Sequence, residues 1–379
     1  IGWHEARVPT IVTSVPRAGF AWVTRRMKSE VTIPLIATNR INMPDVAERI
    51  LAAGDADMIS MARPLLADPD WVRKAREDRA ADINTCIACN QACLDHVFEH
   101  KRASCLVNPR ACHETELVIR PAANGRRIAV VGSGPAGLAC ATTLAGRGHA
   151  VALFEQAAEI GGQFNLAKRI PGKEEFHETL RYYARRIVQT GVELRLATAA
   201  TAESLRQGRF DEVVFATGVH PRTVDIPGGT RANVLSYLDV LRGTAAVGAS
   251  VAIIGAGGIG FDVAEFLVEH APSPTTDVVR WAREWGVDMQ LAERGGLQKP
   301  QPEAPARQIW LLQRSVGRPG ARLNKTTGWV HRATLKAKRV TMLGAVNYER
   351  FDENGLHVTI EGQPQVLSVD NVVICAGQE

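Results

Sequence analysis

The segment Arg127-Ile-Ala-Val-Val-Gly-Ser-Gly-Pro-Ala-Gly137 decides the fold of this chain. An apolar run leads into three glycines spaced G-x-G-x-x-G, which is typical of a strand, a tight turn and a helix that begins at a pyrophosphate. The following apolar run, Val151–Phe154, ends at Glu155, where a carboxylate accepts from ribose hydroxyls and disfavours a 2′-phosphate. The pattern predicts an FAD- or NAD-binding fold, and a glycine turn without a ligand is the alternative. The predicted contact residues are Gly132, Gly134, Gly137 and Glu155.

The same fingerprint recurs in Ser250-Val-Ala-Ile-Ile-Gly-Ala-Gly-Gly-Ile-Gly260. The next predicted strand, Gln308–Leu312, comes late because residues 270–306 form an insertion. Arg314 follows this strand where the first fold has a carboxylate, and a cation at this place accommodates a 2′-phosphate. We therefore predict an NADPH-binding fold, and an ordinary basic loop is the alternative. Its predicted contact residues are Gly255, Gly257, Gly260 and Arg314.

Further glycines accompany each fold. The glycine pair in Ile160-Gly-Gly-Gln163 allows a flavin-binding loop to approach closely, and an ordinary turn is an equal alternative. The apolar runs Glu212–Gly218 and Asn371–Gly377 each break at a glycine, although such breaks also occur at ordinary turns. Two tandem folds with paired glycine-terminated strands resemble the flavin reductase arrangement, in which an NAD(P)H domain is inserted into an FAD domain.

Strands and helices alternate before residue 85. Apolar runs at Pro34–Thr38 and Asp57–Met61 are each followed by a helical pattern, which predicts βα units on a parallel sheet. A closed barrel needs eight such units over about 250 residues. We therefore expect the chain to be a piece of a longer protein whose other barrel strands lie upstream of Ile1.

Three loops of this barrel part carry candidate residues. The loops at the carboxyl ends of barrel strands hold active sites, and the last ones often bind phosphate. Arg63, helped by the backbone near Arg40, is a candidate anchor for a flavin phosphate, and a surface arginine paired with a carboxylate is the alternative. His4 follows an earlier strand, but a lone histidine is more often structural. The full predicted set is His4, Asn39, Arg40, Ala62 and Arg63.

Four cysteines are concentrated between the barrel part and the first nucleotide fold. Two residues separate Cys86 from Cys89, three separate Cys89 from Cys93, and eleven precede Cys105. Zinc sites usually have two separated C-x-x-C turns, whereas three cysteines in one loop with a distant fourth suit an iron–sulfur cluster. A disulfide knot is disfavoured because nothing else in the chain is typical of a secreted protein. The spacing favours a [4Fe–4S] cluster, with zinc as the alternative.

The composition is that of a globular protein with two or three domains. Of 379 residues, 45% are hydrophobic and 22% charged, and the net charge is +5. We find no run of about 18 apolar residues, no signal peptide and no basic stripe for nucleic acid. We expect a cytoplasmic protein without membrane or nucleic-acid partners, and the sequence does not indicate an oligomeric state.

With these motifs in hand, the chain resembles the bacterial NADPH-dependent 2,4-dienoyl-CoA reductases of the old yellow enzyme and trimethylamine dehydrogenase group. The segments that carry the resemblance are Ile1–Arg7, Ile83–Cys86, Ser104–His113, Ile160–Phe164, Ile170–Glu175 and Lys325–Trp329. The resemblance implies the C-terminal part of an FMN-binding TIM barrel over residues 1–80 and a [4Fe–4S] segment with a linker over 81–125. It also implies Rossmann-like domains for FAD over 126–247 and for NADP(H) over 248–379.

The resemblance also implies the site roles. Cys86, Cys89, Cys93 and Cys105 match cluster ligands, and His4 matches a histidine beside FMN and the substrate. Gly162 and Gln163, in the loop after the first fingerprint, match FAD contacts. In the family, NADPH reduces FAD, electrons reach FMN through the cluster, and FMN reduces an acyl-CoA thioester. The proton-donor tyrosine would lie upstream of Ile1, so we expect the chain by itself to be inactive on that substrate. The alternatives are another ene-reductase or an amine dehydrogenase of this architecture, or a non-catalytic electron-transfer module.

Overall fold

The computed structural model of the chain describes residues 7–379, so His4 lies outside the described residues. The chain forms two compact units. One unit contains Phe20–Lys168 and Lys173–Gly218. The other contains Val219–Glu379 together with Arg169–Gly172 and the described residues before Phe20.

The barrel part has the alternating elements that its sequence predicts. Strands β1 and β2 pair in parallel, with Ile36 opposite Met58, and both are shorter than the predicted runs. Helix α2 begins with a proline at its first turn, where the missing N–H costs no hydrogen bond, and buries Val46, Ala47 and Ile50. The elements are α1 (Ala21–Lys28), β1 (Ile36–Ala37), α2 (Pro44–Ala52), β2 (Met58–Ile59), α3 (Arg63–Ala67) and α4 (Trp71–Arg76).

The cysteine segment is mostly irregular. Its regular pieces are a 3₁₀ turn (Ala80–Asp82), a π-helical turn (Gln91–Asp95) and the short helix α5 (His96–Phe98). Short π-helical turns are rare and occur frequently at functional sites.

The first glycine fingerprint lies in a four-stranded parallel sheet of order β5-β4-β3-β6. This is the strand order of a dinucleotide-binding half. Alternate residues of the central strands β3 and β4 pack beneath the helices, with Val130, Leu138 and Leu153 fully buried. The elements are β3 (Arg127–Val131), α6 (Pro135–Gly146), β4 (Ala150–Phe154), α7 (Phe164–Ala167), α8 (Phe176–Thr190), β5 (Glu193–Arg195), α9 (Ala202–Gln207) and β6 (Glu212–Phe215).

The second fingerprint lies in a five-stranded parallel sheet of order β10-β9-β8-β14-β7. Strand β7 belongs here although it precedes residue 248, where the second fold was predicted to begin. The elements are β7 (Val234–Ser236), α10 (Tyr237–Arg242), β8 (Ser250–Ile254), α11 (Gly258–Val268), α12 (Val278–Trp285), β9 (Gln308–Leu312), α13 (Gly328–Ala337), β10 (Thr341–Leu343) and β14 (Asn371–Ile374).

Two features of this unit were not predicted. The insertion at residues 270–306 contains α12, flanked by 3₁₀ turns at Pro274–Thr276 and Arg294–Gly296. An antiparallel sheet made of β11 (Val346–Asp352), β12 (Gly355–Ile360) and β13 (Gln363–Leu367) precedes β14. Over residues 7–379, no helix is both long and apolar enough to cross a membrane.

Candidate functional site

The three glycines of the first turn have different packing requirements. Gly132 has a φ of +102°, and a β-carbon there would lie 2.4 Å from the Ala216 carbonyl oxygen at the end of β6. A β-carbon on Gly137 would lie 1.8 Å from the Gly132 oxygen, so close packing of helix and strand demands glycine at both places. A β-carbon on Gly134 would meet no atom within 4 Å. The middle glycine therefore faces open space at the start of α6, where a pyrophosphate would bind.

The second turn repeats this geometry. Gly255 has a φ of +111°, and its β-carbon would lie 2.3 Å from the oxygen of Cys375 after β14. A β-carbon on Gly260 would lie 1.8 Å from the Gly255 oxygen, whereas one on Gly257 would meet no atom within 4 Å. The two glycine turns are thus built alike, and in each the first glycine lies against the backbone that follows a neighbouring strand.

Glu155 directly follows β4 and accepts hydrogen bonds from the first glycine turn. Its Oε2 accepts from the backbone N–H and the hydroxyl of Ser133, at 2.9 and 2.7 Å, and its Oε1 accepts from Ala157 N–H at 2.9 Å. Burial opposes ionisation, but these hydrogen bonds outweigh it and hold the pKa of the Glu155 carboxyl below its usual range. The carboxylate is therefore ionised at neutral pH, as a ribose acceptor must be.

The glycine pair after β4 lies over the first turn. Gly161 N–H donates to the Ser133 carbonyl oxygen at 2.9 Å, and the β-carbon position of Gly162 is 3.2 Å from Gly134 Cα. Both glycines have positive φ, which allows the loop to come this close. Gln163, the last residue of the loop, directly precedes α7. The structure thus brings three predicted FAD contacts together: Gly134, Gly162 and Gln163.

A cavity of about 930 Å³ opens at the second turn. This volume suits a large ligand such as a dinucleotide. Arg314 lines it, as do the open glycine Gly257 and three further arginines of the same unit, which are Arg222, Arg318 and Arg322. Gln313 shapes the loop between them by donating to the carbonyl oxygens of Ser315 and Gly317 at 3.1 and 3.0 Å. Four guanidinium groups around one cavity suit an anionic ligand with several phosphates.

The four predicted ligand cysteines line one small cavity, with Arg63 and Asn90 at its wall. All four are free thiols, so the disulfide alternative is not realised in the structure. Left-handed φ values of 53° at Ala88 and 62° at Asn90 bend the loop on either side of Cys89. This bending brings four side chains from a short stretch to the same space.

The chemistry of these thiols follows from their burial. Desolvation raises the pKa of Cys89 to about 12 and that of Cys105 to about 11. Without a cation they are neutral, whereas a bound metal deprotonates its thiol ligands. Within residues 7–379, no group of three or more His, Cys, Asp or Glu side chains is arranged to hold a metal ion. Ligation by Cys86, Cys89, Cys93 and Cys105 therefore remains a prediction.

The predicted flavin-phosphate residues lie at the ends of β1 and β2. Asn39 and Arg40 both adopt left-handed φ values, 73° and 55°, and Ala62 directly precedes α3. The Arg40 guanidinium pairs with Glu175 rather than facing solvent, and that of Arg63 donates to Asn90 Oδ1 beside the cysteines. Sequence reasoning missed Glu175 and Asn90 because each lies far along the chain from its arginine.

Two family models match the chain. Residues 126–379 match "Pyridine nucleotide-disulphide oxidoreductase", and residues 1–82 match "NADH:flavin oxidoreductase / NADH oxidase family". The four cysteines lie between the two matches.

Several curated or solved proteins are similar over most of the chain. A metal reductase of Desulforamulus reducens is 37% identical over 99% of this chain and 56% of its own length. An NADH oxidase of Thermoanaerobacter brockii is 36% identical over 72% of this chain and 42% of its own length. A structure of 2-naphthoyl-CoA reductase with 2-naphthoyl-CoA has a TM-score of 0.86, 30% identity, and covers 100% of this chain and 52% of its own.

The chain spans about half the length of the relatives it matches. Its longer family match, from residue 126 to 379, covers more than half of the chain and contains both glycine turns. The chain therefore belongs to the pyridine nucleotide-disulphide oxidoreductase family, with a segment of the NADH:flavin oxidoreductase family at residues 1–82.

Proposed function

We propose that the chain is the electron-supplying part of an NADPH-dependent reductase that reduces 2,4-dienoyl-CoA thioesters. The observation that carries the proposal is the cavity lined by Cys86, Cys89, Cys93 and Cys105, in the same compact unit as the first glycine turn. A neighbouring cluster would accept single electrons from a flavin that has received a hydride. The 2-naphthoyl-CoA reductase similarity supports an acyl-CoA thioester as the substrate class.

The described residues fit the proposed cofactors chemically. Gly134 leaves room for the FAD pyrophosphate, and Glu155 presents an ionised acceptor for its ribose. Gly257 leaves the equivalent room for NADPH, and Arg314 supplies the cation for its 2′-phosphate. Four thiols around one cavity supply the sulfur ligands that an iron–sulfur cluster requires. For FMN, the proposed phosphate site is Asn39, Arg40, Ala62 and Arg63, with His4 beside the substrate.

An amine dehydrogenase of the same architecture is the second candidate. The arginine-lined cavity at the second turn favours the reductase, because an amine dehydrogenase sends electrons outward and needs no NADPH. The left-handed residues Asn39 and Arg40 support a ligand site at the end of β1 in either case, since such strain clusters at active sites.

Turnover by the full-length protein distinguishes the two. We expect NADPH-dependent loss of the conjugated dienoyl-CoA absorbance under anaerobic conditions and no dye reduction with trimethylamine. Trimethylamine-dependent dye reduction without dienoyl-CoA turnover would establish the amine dehydrogenase instead. If the protein turns over neither substrate but transfers electrons from NADPH to a dye, the result would support the electron-transfer module.

A further inference from the structure

Helix α8 is a rigid part of the first nucleotide fold. Its buried Ile187, together with Leu180 and Tyr183, packs against the core of the sheet that carries the first glycine turn, including Val130 and Leu138. The helix runs for 15 residues and ends at Gly191 in a left-handed conformation, a common helix stop. Any group held by α8 is therefore held at a fixed place relative to the predicted FAD turn.

The opposite face of α8 holds the chain that leads into the cysteine loop. The Arg181 guanidinium donates to the carbonyl oxygen of Ala81, to that of Ile83 at 2.7 Å and to the Thr85 hydroxyl at 3.1 Å. Its Nε donates to Glu178 Oε2 at 2.5 Å, which orients the planar group. Thr85 is fully buried and directly precedes Cys86. The guanidinium thus fixes three acceptors within the residues before the first predicted ligand.

Two more side chains continue this face of the helix. Arg185 and Gln189 follow Arg181 at intervals of four residues, and positions four apart lie on the same side of a helix. Arg185 Nε and Gln189 Nε2 both contact Asp82 Oδ1, at 3.0 and 2.7 Å. Asp82 is buried within the 3₁₀ turn that begins the cysteine segment. Arg181, Arg185 and Gln189 therefore form one stripe, which we call the α8 clamp.

The start of α8 is fixed to two other predicted sites. Glu175, immediately before the helix, forms the buried ion pair with Arg40 at the end of β1. Phe176, its first residue, stacks on Phe164 with ring centroids 4.7 Å apart and an interplanar angle of 18°. Phe164 directly follows Gln163, the predicted FAD contact. One helix thus contacts the barrel strand end, the flavin loop and the lead-in to the cysteines.

We infer that α8 fixes the predicted FMN, FAD and cluster sites relative to one another, and that Arg181 is the positioning residue for the cysteine loop. The inference rests on the proposed function. Arginine is suited to this role because its planar fork serves several acceptors at once, which a lysine ammonium does not reproduce with the same geometry. Electron transfer between the FAD and cluster sites should therefore depend on Arg181, although the residue contacts neither.

Three variants of the full-length protein test the inference. Arg181→Met removes the donors and keeps the length of the side chain, whereas Arg181→Lys keeps the charge without the fork. Arg206→Met is the control, because Arg206 is an exposed arginine on α9 of the same unit and lies outside the clamp. Each protein is purified anaerobically, its iron and flavin are quantified, and it is mixed rapidly with NADPH.

Two readouts separate positioning from general damage. The first phase of flavin bleaching, which is the reduction of FAD by NADPH, should be unchanged in all variants, whereas the rate at which the reduced-cluster EPR signal appears, per iron, should fall about tenfold in Arg181→Met. A tenfold decrease is reasonable because a displacement of about 1 Å between reacting groups can lower the rate of a geometry-dependent step about 10²-fold. Arg181→Lys should be intermediate and Arg206→Met unchanged. Hydrogen–deuterium exchange at residues 83–89 should rise in the same order.

Failure of the inference and failure of the proposed function give different results in these experiments. Wild-type protein that lacks iron or flavin would overturn the proposed function itself. Wild-type protein with both, and Arg181→Met with the same cluster-reduction rate and the same exchange at residues 83–89, would overturn the inference alone. Loss of iron in Arg181→Met but not in Arg206→Met, with Arg181→Lys between them, would support it.

Discussion

Arg40 and Glu175 form an ion pair that is buried on both sides. The guanidinium Nη2 lies 2.8 Å from the carboxylate Oε1, and the two side chains are only 3% and 5% exposed. The residues are 135 positions apart, so the pair joins the end of β1 to the start of α8. Two charges removed from water to this extent are stable only as partners. This contact therefore links the barrel part to the first nucleotide fold.

Removal of one partner of this pair should be costly. We expect Glu175→Ala to lower the free energy of unfolding by about 3 kcal/mol, because the buried Arg40 guanidinium loses its carboxylate partner. Denaturant unfolding followed by circular dichroism measures the change. Glu99→Ala, which breaks an exposed pair with Lys101, is the control and should cost less than about 1 kcal/mol. Equal losses in the two variants would show that the buried pair is not special.

The two glycine turns should be separable by mutation. Gly137→Ala places a methyl group on the Gly132 oxygen and should abolish FAD retention, while NADPH binding persists. Gly260→Ala does the same at Gly255 and should abolish NADPH binding, while FAD is retained. Flavin content after purification and calorimetric titration with NADPH measure the two effects. Each variant is the control for the other, and loss of the same ligand in both would contradict the assignment.

Arg314 should select NADPH over NADH. A hydrogen bond to a charged group contributes about 1.5–3 kcal/mol. Arg314→Leu should therefore raise the KM for NADPH at least about tenfold and leave that for NADH unchanged. Steady-state dye reduction with both nucleotides measures the ratio. The control is Arg231→Leu, an exposed arginine of the same unit outside the cavity. An unchanged ratio in Arg314→Leu would assign the 2′-phosphate to another arginine.

The Glu155 carboxylate should make stability depend on pH. Its folded-state pKa is lowered, so its contribution is fully present above the unfolded value of about 4.3 and is lost as the pH falls through the folded value. Glu155→Gln should therefore be less stable than wild type at neutral pH, and the difference should shrink in acid. Thermal unfolding between neutral pH and pH ~3 checks this. A pH-independent difference would mean that the loss comes from packing.

Much of the local structure follows from the sequence. The predicted strand Gln308–Leu312 coincides with β9, because a short, nearly continuous apolar run bounded by polar residues is a clear signal for a buried parallel strand. Both glycine turns are likewise where the fingerprints place them. Helix α12 was missed, although Asp277 caps its start and Gly286 ends it in a left-handed conformation. An aspartate and a glycine separated by the length of a short helix were the sequence signal that could have predicted α12.

The links between distant segments could not be predicted in this way. In the sequence, Arg181 and Glu175 are indistinguishable from residues on the solvent-exposed face of a helix. Hydrophobic periodicity identifies the apolar positions that are buried, but not the partners of charged ones. Their partners lie 98 and 135 residues away, at Ile83 and Arg40. The position of Arg63 is a similar case, since the strand-end rule places it near a flavin phosphate while its guanidinium lies beside the cysteines. Only the assembled fold shows which buried acceptors a cation can reach.

The most direct test of the proposed electron path is to measure the iron content and the EPR spectrum of full-length protein purified anaerobically. Wild type should contain about four iron atoms per chain and give a cluster signal after NADPH reduction. Cys93→Ser should lose both, while Cys112→Ser, which changes an exposed cysteine outside the cavity, should keep both. Wild-type protein with zinc or without iron, or Cys93→Ser with iron and unchanged cluster reduction, would contradict the proposed path.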